Sequence, residues 1–313
     1  MQRPPSPAVA AIVPCRDAQA TLAATLESVL AQSSVGEIIV VDDGSSDGSL
    51  ALARSFEPKV RVLTGPSQGV SAARNRGVAG TTAEWIQFVD ADDLLTPGTV
   101  AQRLGTALSR EADVVICDWE EMDTDGHPLA GAPCRAIDWL ALANDPELAT
   151  ATVVWAPPAA ILYRRSLIER IGGFRTDLPV AEDARFLFDA ATHGARFVPG
   201  RHVGARYRVA ADGLSRRDPV LFWQCVLRNG RQIEARWREL GMLGEARRAA
   251  VQGIYNHAAR GLFKAAHPAY FDAVEAMRRM GLPLPRHSRV ATPLARCVGL
   301  GAARLLLRAV GQA

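Results

Sequence analysis

Lysine is nearly absent from this 313-residue chain: it occurs only at Lys59 and Lys264, although 36 residues are lysine or arginine. Neither lysine lies in a glycine-rich loop, and the pattern G-x-x-x-x-G-K-[ST] is missing, which excludes a phosphate-loop nucleotide hydrolase. Arginine therefore carries the positive charge. Arginine suits phosphate and carboxylate recognition. A biased genome base composition can also explain the excess of arginine over lysine, and we give this second explanation more weight. With a net charge of only +3, we predict no nucleic-acid partner.

Paired cysteines and long apolar runs are also missing. The five cysteines are scattered, odd in number and never spaced as C-x-x-C, which is typical of reduced thiols in a cytosolic protein. No stretch of about 20 uncharged apolar residues occurs, so we expect a cytoplasmic protein that is neither secreted nor membrane-spanning. The apolar segment from Val290 to Val310 is interrupted by arginines and predicts an amphipathic helix, which either packs on the domain or rests on the inner face of a membrane. Within it, Gly299-Leu-Gly301 lacks the third glycine and the preceding strand of a dinucleotide-binding loop and predicts a helix interruption.

The first third of the chain alternates short β-branched runs with longer helical patterns, which predicts a parallel sheet with crossover helices. The predicted strands are Ala8–Val13, Glu37–Val41, Val60–Leu63, Trp85–Val89 and Asp113–Cys117. The predicted helices are Ala18–Ala31, Gly48–Ser55, Val70–Val78 and Gly98–Ser109. The middle is less regular, with a short strand at Ala160–Tyr163 and a helix beginning near Ala181. We predict an α/β domain over residues 1–217 and a helical C-terminal extension over residues 218–313.

Three carboxylates within four residues, Asp90-Ala-Asp92-Asp93, end the apolar run Trp85–Val89. Carboxylates held that close repel one another, and hard cations such as Mg²⁺ or Mn²⁺ relieve the repulsion by taking oxygen ligands. In an open α/β sheet, ligands bind beyond the carboxyl ends of the strands, where this cluster falls. An acidic turn that caps the helix starting near Pro97 is an equally good interpretation of these residues alone.

A doubled aspartate, Asp42-Asp43, follows the apolar strand Ile38–Val41 without a spacer. A carboxylate at this point can accept a hydrogen bond from a nucleobase imino group, while Gly44 lets the backbone turn and Ser46 or Asp47 caps the next helix. Turn and cap chemistry alone accounts well for Asp47 and poorly for the doubled aspartate. The pattern therefore favours a ligand at this strand end.

Four blocks follow one another in order along the first hundred residues. They are Ile12-Val-Pro14-Cys-Arg-Asp17, Glu37-Ile-Ile-Val-Val-Asp42-Asp43-Gly44-Ser45-Ser46-Asp47, Gly69-Val-Ser-Ala-Ala-Arg74-Asn75-Arg-Gly77 and Phe88-Val-Asp90-Ala-Asp92-Asp93. Together they resemble family 2 inverting glycosyltransferases of the GT-A fold, over residues 8 to 210. The resemblance implies a nucleotide-sugar-binding, Rossmann-like mixed sheet flanked by helices, with the C-terminal helical region outside it.

The resemblance also implies a nucleotide-sugar donor, usually linked to UDP. Asp43 would contact the uracil, Pro14 and its neighbours would line the base pocket, and Arg74 would lie near the base and ribose. The acidic cluster would serve the ribose and a Mn²⁺ or Mg²⁺ ion at the diphosphate, because charge grows on the leaving group and lysines are few. The predicted nucleotide-sugar-binding residues are Pro14, Asp17, Asp42, Asp43, Arg74, Asp90 and Asp92. The predicted metal ligands are Asp92 and Asp93.

A later block, Ile171-Gly-Gly-Phe174 followed by Glu182-Asp183, matches the position at which the family carries its general base. By resemblance, Asp183 takes the proton of the acceptor hydroxyl as its oxygen attacks the anomeric carbon opposite the diphosphate. Adjacent Glu182 and partial burial are both expected to raise the pKa of Asp183 and strengthen it as a base. The alternative is that the two acids only occupy the first turn of a helix.

Two departures from the family pattern change the predicted contacts. Cys15 and Arg16 stand where the family commonly has an aromatic residue and an asparagine, which leaves the planar guanidinium of Arg16 to cover the base. Ala210 stands where many relatives have a histidine, which removes a metal or phosphate contact. The candidates for a substitute diphosphate clamp are Arg206, Arg208 and Arg216.

These observations predict a metal-dependent inverting glycosyltransferase that uses a glycan or lipid-linked acceptor, with residues 1–217 as its catalytic domain. The loop around Trp155 and the helical tail are the variable, acceptor-side parts of such enzymes. By resemblance, the product is a bacterial cell-surface polysaccharide or lipid-linked glycan. The alternative is a catalytically silent nucleotide-sugar-binding scaffold in a polysaccharide assembly, against which the intact set of acidic residues argues.

Overall fold

A computed structural model of the chain describes residues 8–210, 213, 217–284 and 286–309. The described residues fall into two compact units, one that ends at residue 210 and one that begins beyond it. The first unit is an α/β structure and the second is helical. The sequence prediction set this division after residue 217.

One mixed sheet of eight strands forms the centre of the first unit. The strands are β1 (Val9–Cys15), β2 (Glu37–Asp42), β3 (Arg61–Thr64), β4 (Trp85–Phe88), β5 (Leu94–Leu95), β6 (Val114–Met122), β7 (Ile161–Arg164) and β8 (Phe197–Arg208). Their order across the sheet is β3-β2-β1-β4-β7-β6-β8-β5. The first four strands are parallel, β7 is antiparallel to β4 and to β6, and β8 is parallel to β6 and antiparallel to β5.

Helices connect these strands. They are α1 (Leu22–Leu30), α2 (Ser49–Ser55), α3 (Val70–Ala79), α4 (Thr99–Ser109), α5 (Trp139–Asn144), α6 (Pro146–Thr152), α7 (Arg165–Ile171) and α8 (Glu182–Thr192). A short 3₁₀ turn, Pro158–Ala160, precedes β7. The expected mixed sheet flanked by helices is confirmed.

The sheet interior explains why β1 lies near its middle. All seven residues of β1 are buried, as expected for a parallel strand covered on both faces. Helix α3 packs very closely on it, because a Cβ atom at Gly77 would lie 2.3 Å from the Ile12 side chain. This close approach requires glycine and sets the distance between α3 and β1.

The expected parallel run from Ala8 to Cys117 is interrupted before its last strand. The strand predicted at Asp113–Cys117 is present as β6 and runs in the same direction as β4, but β7 lies between them and pairs antiparallel with both. The short apolar run Ile161–Tyr163 is completely buried and can fill this central position. Strand β8 was not predicted, because Pro199, Gly200 and Gly204 interrupt its alternation and its register against β6 shifts.

The second unit contains α9 (Pro219–Glu239), α10 (Glu245–Lys264), α11 (Ala269–Arg279), α12 (Arg286–Val298) and α13 (Leu300–Ala309). Its core is formed by the aromatic side chains of Trp237, Tyr255, Phe263 and Tyr270. The predicted helix interruption is confirmed at Gly299, whose φ is 82°, while Val310 lies outside the described residues. None of the described helices combines the length and apolar content needed to cross a membrane.

Candidate functional site

The carboxyl ends of three neighbouring strands bring the predicted loops to one edge of the sheet. The backbone N–H of Asp43, just beyond β2, donates to the Cys15 carbonyl at the end of β1, at 2.8 Å. The N–H of Val89, just beyond β4, donates to the Ile12 carbonyl at 3.0 Å. The structure therefore places the loops after β1, β2 and β4 side by side, at the edge where open α/β sheets bind ligands.

Asp43 ties the end of β2 to the start of α3. Its buried carboxylate accepts the backbone N–H of Gln68 on Oδ1, at 3.0 Å, and that of Gly69 on Oδ2, at 2.6 Å. The Ser67 hydroxyl donates to its carbonyl at 3.0 Å. A carboxylate oxygen can accept more than one hydrogen bond, so these bonds fix the orientation of Asp43 without saturating it.

The other residues predicted at this end of the site take turn or core positions. Asp42 is buried and accepts two backbone N–H groups of the following turn, at 3.2 and 3.3 Å. Asp17 accepts the backbone N–H of Ser46 at 2.7 Å, which lowers the pKa of Asp17 and joins the loops after β1 and β2. Pro14 is buried within β1. Asp47 accepts the first N–H of α2, from Ser49, at 2.9 Å, so the capping interpretation holds for that residue.

The acidic cluster after β4 does not cap the next helix. Helix α4 has Gly98 at its N-cap and no side-chain capping hydrogen bond there, so that interpretation is wrong. Asp93 is completely buried, and its Oδ1 accepts the backbone N–H of Arg208 at 2.9 Å. Its Oδ2 is buried and has no hydrogen-bond partner. Burial raises the pKa of Asp93 well above its ordinary value, and the neighbouring Asp92 and Asp90 add to that rise.

This donor set fits a hard divalent cation. A buried carboxylate oxygen without a partner is energetically unfavourable, and Mg²⁺ or Mn²⁺ satisfies such an oxygen directly. The buried Oδ2 of Asp93 is therefore a suitable ligand atom, and Asp92 stays a predicted ligand. Among the described residues, the one group of three candidate ligands whose donor atoms lie within 4.8 Å of one another is Asp123, Asp125 and His127, so Asp90, Asp92 and Asp93 do not converge as a trio. In that turn, Oδ1 of Asp123 already accepts the N–H groups of Asp125 and His127, each at 2.9 Å.

Arg74 connects the acidic cluster to the start of α8. Its Nη2 donates to Oδ1 of Asp90 and its Nη1 to Oε1 of Glu182, both at 2.6 Å. The guanidinium also lies 5.0 Å from the centre of the Phe174 ring. Burial alone would lower the pKa of Arg74, but the two carboxylates raise it, so the guanidinium stays charged. With only 2 % of its side chain exposed, Arg74 offers a nucleotide little surface and instead holds two loops together.

Asp183 lies at the start of α8, after Ala181, whose φ of 63° is in the left-handed region. Its Oδ2 accepts the indole N–H of Trp155 at 2.8 Å, and its Oδ1 accepts the N–H of Ala184 at 2.7 Å. Burial raises the pKa of Asp183, while Arg74 and the Trp155 hydrogen bond oppose that rise. A carboxylate held by two donors, with a raised pKa, has the properties required of a general base.

Two aromatic residues, Trp155 and Tyr207, also belong to the site. The sequence prediction assigned no role to either side chain. Trp155 is half-buried and packs edge-on against Trp119 and Tyr207, at ring distances of 5.9 and 5.6 Å. Burial raises the pKa of Tyr207, and the charges of Asp93 and Asp183 raise it further. Trp155 contacts both Asp183 and Tyr207, and Arg208, the residue after Tyr207, donates its backbone N–H to Asp93, so these contacts connect the candidate base to the acidic cluster.

The arginines predicted as a diphosphate clamp have other contacts. Arg208 is buried, and its guanidinium donates to the carbonyl groups of Asp92 at 2.8 Å and of Asp123 at 3.0 Å. Arg206 pairs with Glu120 at 3.6 Å. Arg216 lies outside the described residues. Arg208 thus shapes the loop that carries Asp92 and Asp93.

Comparison with protein families identifies a match over the first unit. The family model described as glycosyl transferase family 2 matches residues 10–172. This range contains β1 to β4, the acidic cluster and Trp155, and it ends before Asp183.

Curated relatives match part of the chain. YibD of Escherichia coli K12, an uncharacterized glycosyltransferase, is 31 % identical over 172 residues, which are 50 % of this chain and 48 % of YibD. ExoO of Rhizobium meliloti, a succinoglycan biosynthesis protein, is 26 % identical over 224 residues, which are 67 % of this chain and 63 % of ExoO. The chain thus spans less than two thirds of the length of these relatives.

Solved structures share the fold. The crystal structure of S. aureus TarS residues 1–349 in complex with UDP-GlcNAc has a TM-score of 0.65 and 17 % sequence identity, and the alignment covers 97 % of this chain and 91 % of that chain. A second TarS structure, in complex with UDP, has a TM-score of 0.55 and 18 % identity over the same shares of the two chains. At this identity the likeness concerns the fold, and it confirms the predicted GT-A architecture with C-terminal helices.

Proposed function

The chain belongs to glycosyl transferase family 2, and from this membership we propose that it transfers a sugar, with inversion, from a UDP-linked donor to an acceptor hydroxyl group. The observation that carries the proposal is the setting of Asp183. This carboxylate is held by Trp155 and Ala184, has a raised pKa, and lies in one site with the acidic cluster that follows β4.

The donor's nucleotide is proposed to lie along the edge formed by β1, β2 and β4. Asp43, oriented by the N–H groups of Gln68 and Gly69, would accept a hydrogen bond from the uracil. Asp17, Asp42 and Pro14 would shape the loops around it, and the Asp90–Arg74 pair would hold the acidic cluster against the start of α8. The TarS complexes with UDP and UDP-GlcNAc support a UDP-linked donor on this fold.

Asp92 and Asp93 are proposed to hold Mn²⁺ or Mg²⁺ at the diphosphate. The unpartnered Oδ2 of Asp93 supports this assignment. When bound, the ion would neutralise the negative charge that develops on the departing diphosphate. Arg208 would keep both carboxylates in place through its bonds to the Asp93 side chain and the Asp92 carbonyl.

Asp183 is proposed to act as the general base. It would accept the proton of the acceptor hydroxyl while that oxygen attacks the anomeric carbon and the nucleoside diphosphate leaves from the opposite face. Trp155 keeps one carboxylate oxygen oriented, and the Arg74–Glu182 pair fixes the first turn of α8. The acceptor is proposed to be a glycan or a lipid-linked sugar of a bacterial polysaccharide, which the succinoglycan biosynthesis protein ExoO supports. The site would work on the cytoplasmic side of the membrane.

The decisive test separates nucleotide binding from transfer. In the presence of Mn²⁺, calorimetry should show that the purified protein binds UDP. With a panel of UDP-sugars, the protein should slowly hydrolyse the UDP-sugar that it accepts and so produce free UDP. Asp183→Asn should keep UDP binding and lose turnover by about 10²- to 10⁴-fold, as expected for the loss of a general base. Asp177→Asn, at an exposed aspartate in the loop before α8, is the matched control and should leave turnover unchanged.

Two results would contradict the proposal in different ways. Undiminished turnover by Asp183→Asn would remove this residue from the mechanism. UDP binding without any UDP-sugar hydrolysis by the unmodified protein would instead favour the catalytically silent nucleotide-sugar-binding scaffold.

A further inference from the structure

The helical part of the chain carries the opposite charge to the rest. Residues 1–217 contain 21 basic and 27 acidic side chains, a net charge of −6, whereas residues 218–313 contain 15 basic and 6 acidic ones, a net charge of +9. After Glu275 the sequence contains seven arginines and no aspartate or glutamate. Such an asymmetry indicates that the second unit meets a partner of negative charge.

Large apolar side chains are exposed on the last two helices, α12 and α13. The exposed residues are Val290, Val298, Leu305 and Leu306, at 42 %, 46 %, 62 % and 52 %. Other residues of the same two helices are buried, namely Ala291 and Ala295 in α12 and Ala303 and Leu307 in α13. Exposed arginines lie among the apolar residues, at positions 289, 296 and 308. We call these four apolar residues and three arginines the C-terminal face. Exposed apolar groups of this size mark an interaction surface more often than a solvated one.

A cavity of about 630 Å³ in the second unit is lined almost wholly by apolar surface, to which Pro219, Val220 and Trp223 of α9 contribute. Arg260 and Lys264 of α10 border this cavity and are exposed, so their charged groups lie at its rim. Trp223 packs directly on Gly261, where a Cβ atom would lie 2.2 Å from its ring, so glycine is required for this wall.

The cavity and the C-terminal face are neighbours. The Arg304 guanidinium, in α13, donates to the carbonyl of Lys264 at 2.8 Å. Lys264 lines the cavity, and Arg304 immediately precedes the exposed Leu305 and Leu306. Apolar side chains, cationic groups and an amphipathic tryptophan therefore occur together at one end of α10 and α13.

We propose that the C-terminal face and this cavity together dock the protein on an anionic lipid bilayer. Leu305 and Leu306 would enter the boundary between headgroups and acyl chains, while the arginines and Lys264 would contact lipid phosphates. Trp223 suits the headgroup level, where tryptophan is enriched. A free phosphate would use the cationic groups but not the leucines, so the combination of both favours a bilayer. The proposal concerns the second unit and does not depend on the transfer chemistry of the first.

Sedimentation with vesicles tests this proposal on the full-length chain. The protein should bind vesicles that contain phosphatidylglycerol, should bind pure phosphatidylcholine weakly, and should be released by added salt. Leu305→Ser/Leu306→Ser should weaken binding at least about tenfold. Arg260→Gln/Lys264→Gln should weaken it about fivefold for each charge removed. Leu140→Ser and Arg110→Gln, at exposed positions of the first unit, are the matched controls and should bind like the unmodified protein. Unchanged far-ultraviolet circular dichroism would show that each variant is folded.

Three results would overturn the proposal. The first is absence of binding to phosphatidylglycerol vesicles at low salt. The second is full binding by the folded Leu305→Ser/Leu306→Ser variant, which would show that no apolar insertion occurs. The third is complete displacement from the vesicles by inorganic phosphate at matched ionic strength, which would identify a phosphate site and no bilayer surface.

Discussion

Trp155 sets the protonation behaviour of Asp183, because its indole N–H donates to the ionised carboxylate and lowers the pKa of that group. Removing the donor leaves burial to raise the pKa further. A general base works only when deprotonated, so its activity is lost as the pH falls through its pKa. The acid side of the pH–rate profile should therefore lie above the ordinary aspartate range.

We predict that Trp155→Phe moves this acid limb to higher pH and lowers kcat about tenfold, since a hydrogen bond to a charged group contributes about 1.5 kcal/mol. The pH dependence of kcat/KM for UDP-sugar turnover measures both effects. Trp139→Phe, in α5, is the matched control and should leave the limb in place. An unchanged profile in Trp155→Phe would show that the indole does not position the base.

Arg74 forms buried ion pairs with Asp90 and Glu182, and these pairs stabilise the fold. Arg74→Met would leave Asp90 and Glu182 without their shared cation, and breaking a buried pair in this way destabilises a protein by about 3–5 kcal/mol. Urea denaturation should therefore show a large loss for Arg74→Met. Arg175→Met, at the exposed Arg175–Asp177 pair, should change the free energy of unfolding by less than about 1 kcal/mol. Equal effects of the two substitutions would argue against a buried Arg74.

Individual residues differ in how far the sequence could predict them. Asp43 and Asp93 were predicted because each belongs to an acidic run that follows an apolar strand, which is a local pattern. The Trp155–Asp183 bond joins residues 28 positions apart, and the Arg74–Glu182 pair joins residues 108 positions apart. No local pattern encodes such contacts, because they depend on where β7 and α8 pack. The sequence therefore could not predict that Arg74 forms a buried ion pair with Glu182.

At the scale of elements, the closeness of α3 to β1 positions the loop that holds Asp43. Gly77→Ala would push a Cβ atom to within 2.3 Å of Ile12 and separate the helix from the strand. We predict a loss of about 1–3 kcal/mol in the free energy of unfolding, the usual effect of overpacking a core. Gly105→Ala, in α4, has no atom within 4 Å of the new Cβ and should instead stabilise the protein by about 0.5–1 kcal/mol. Thermal or urea denaturation distinguishes the two, and effects of the same sign would contradict this packing.

The elements that local pattern could predict are those of the parallel half of the sheet. Strands β1 to β4 are short apolar runs separated by helical patterns, and this alternation is visible in the sequence. Strands β7 and β8 are different, because antiparallel insertion between β4 and β6 is decided by tertiary pairing. Strand β5 has only two residues and pairs with β8, so it carries no periodic signal.

At the scale of the whole molecule, each unit has a core of its own. The first unit buries the sheet residues around β1 and β4, and the second buries Trp237, Tyr255, Phe263 and Tyr270. Multidomain chains with separate cores commonly unfold in more than one step. Nucleotide binding is proposed for the first unit and lipid docking for the second, so the two activities should be separable by ligand and by mutation.

Differential scanning calorimetry should therefore show two unfolding transitions. UDP with Mn²⁺ should raise the midpoint temperature of only one of them. A ligand present at 100 times its Kd stabilises the unit that binds it by about 2.7 kcal/mol, because it binds the folded state and not the unfolded one. The transition that does not respond should be the one lowered by Tyr255→Ala, which removes a buried side chain from the second unit. Leu305→Ser/Leu306→Ser should leave the nucleotide-induced shift intact, since its side chains are exposed in the other unit. If UDP raised the midpoint temperatures of both transitions equally, the two units would unfold as one. Nucleotide binding and lipid docking could then not be separated by ligand or by mutation.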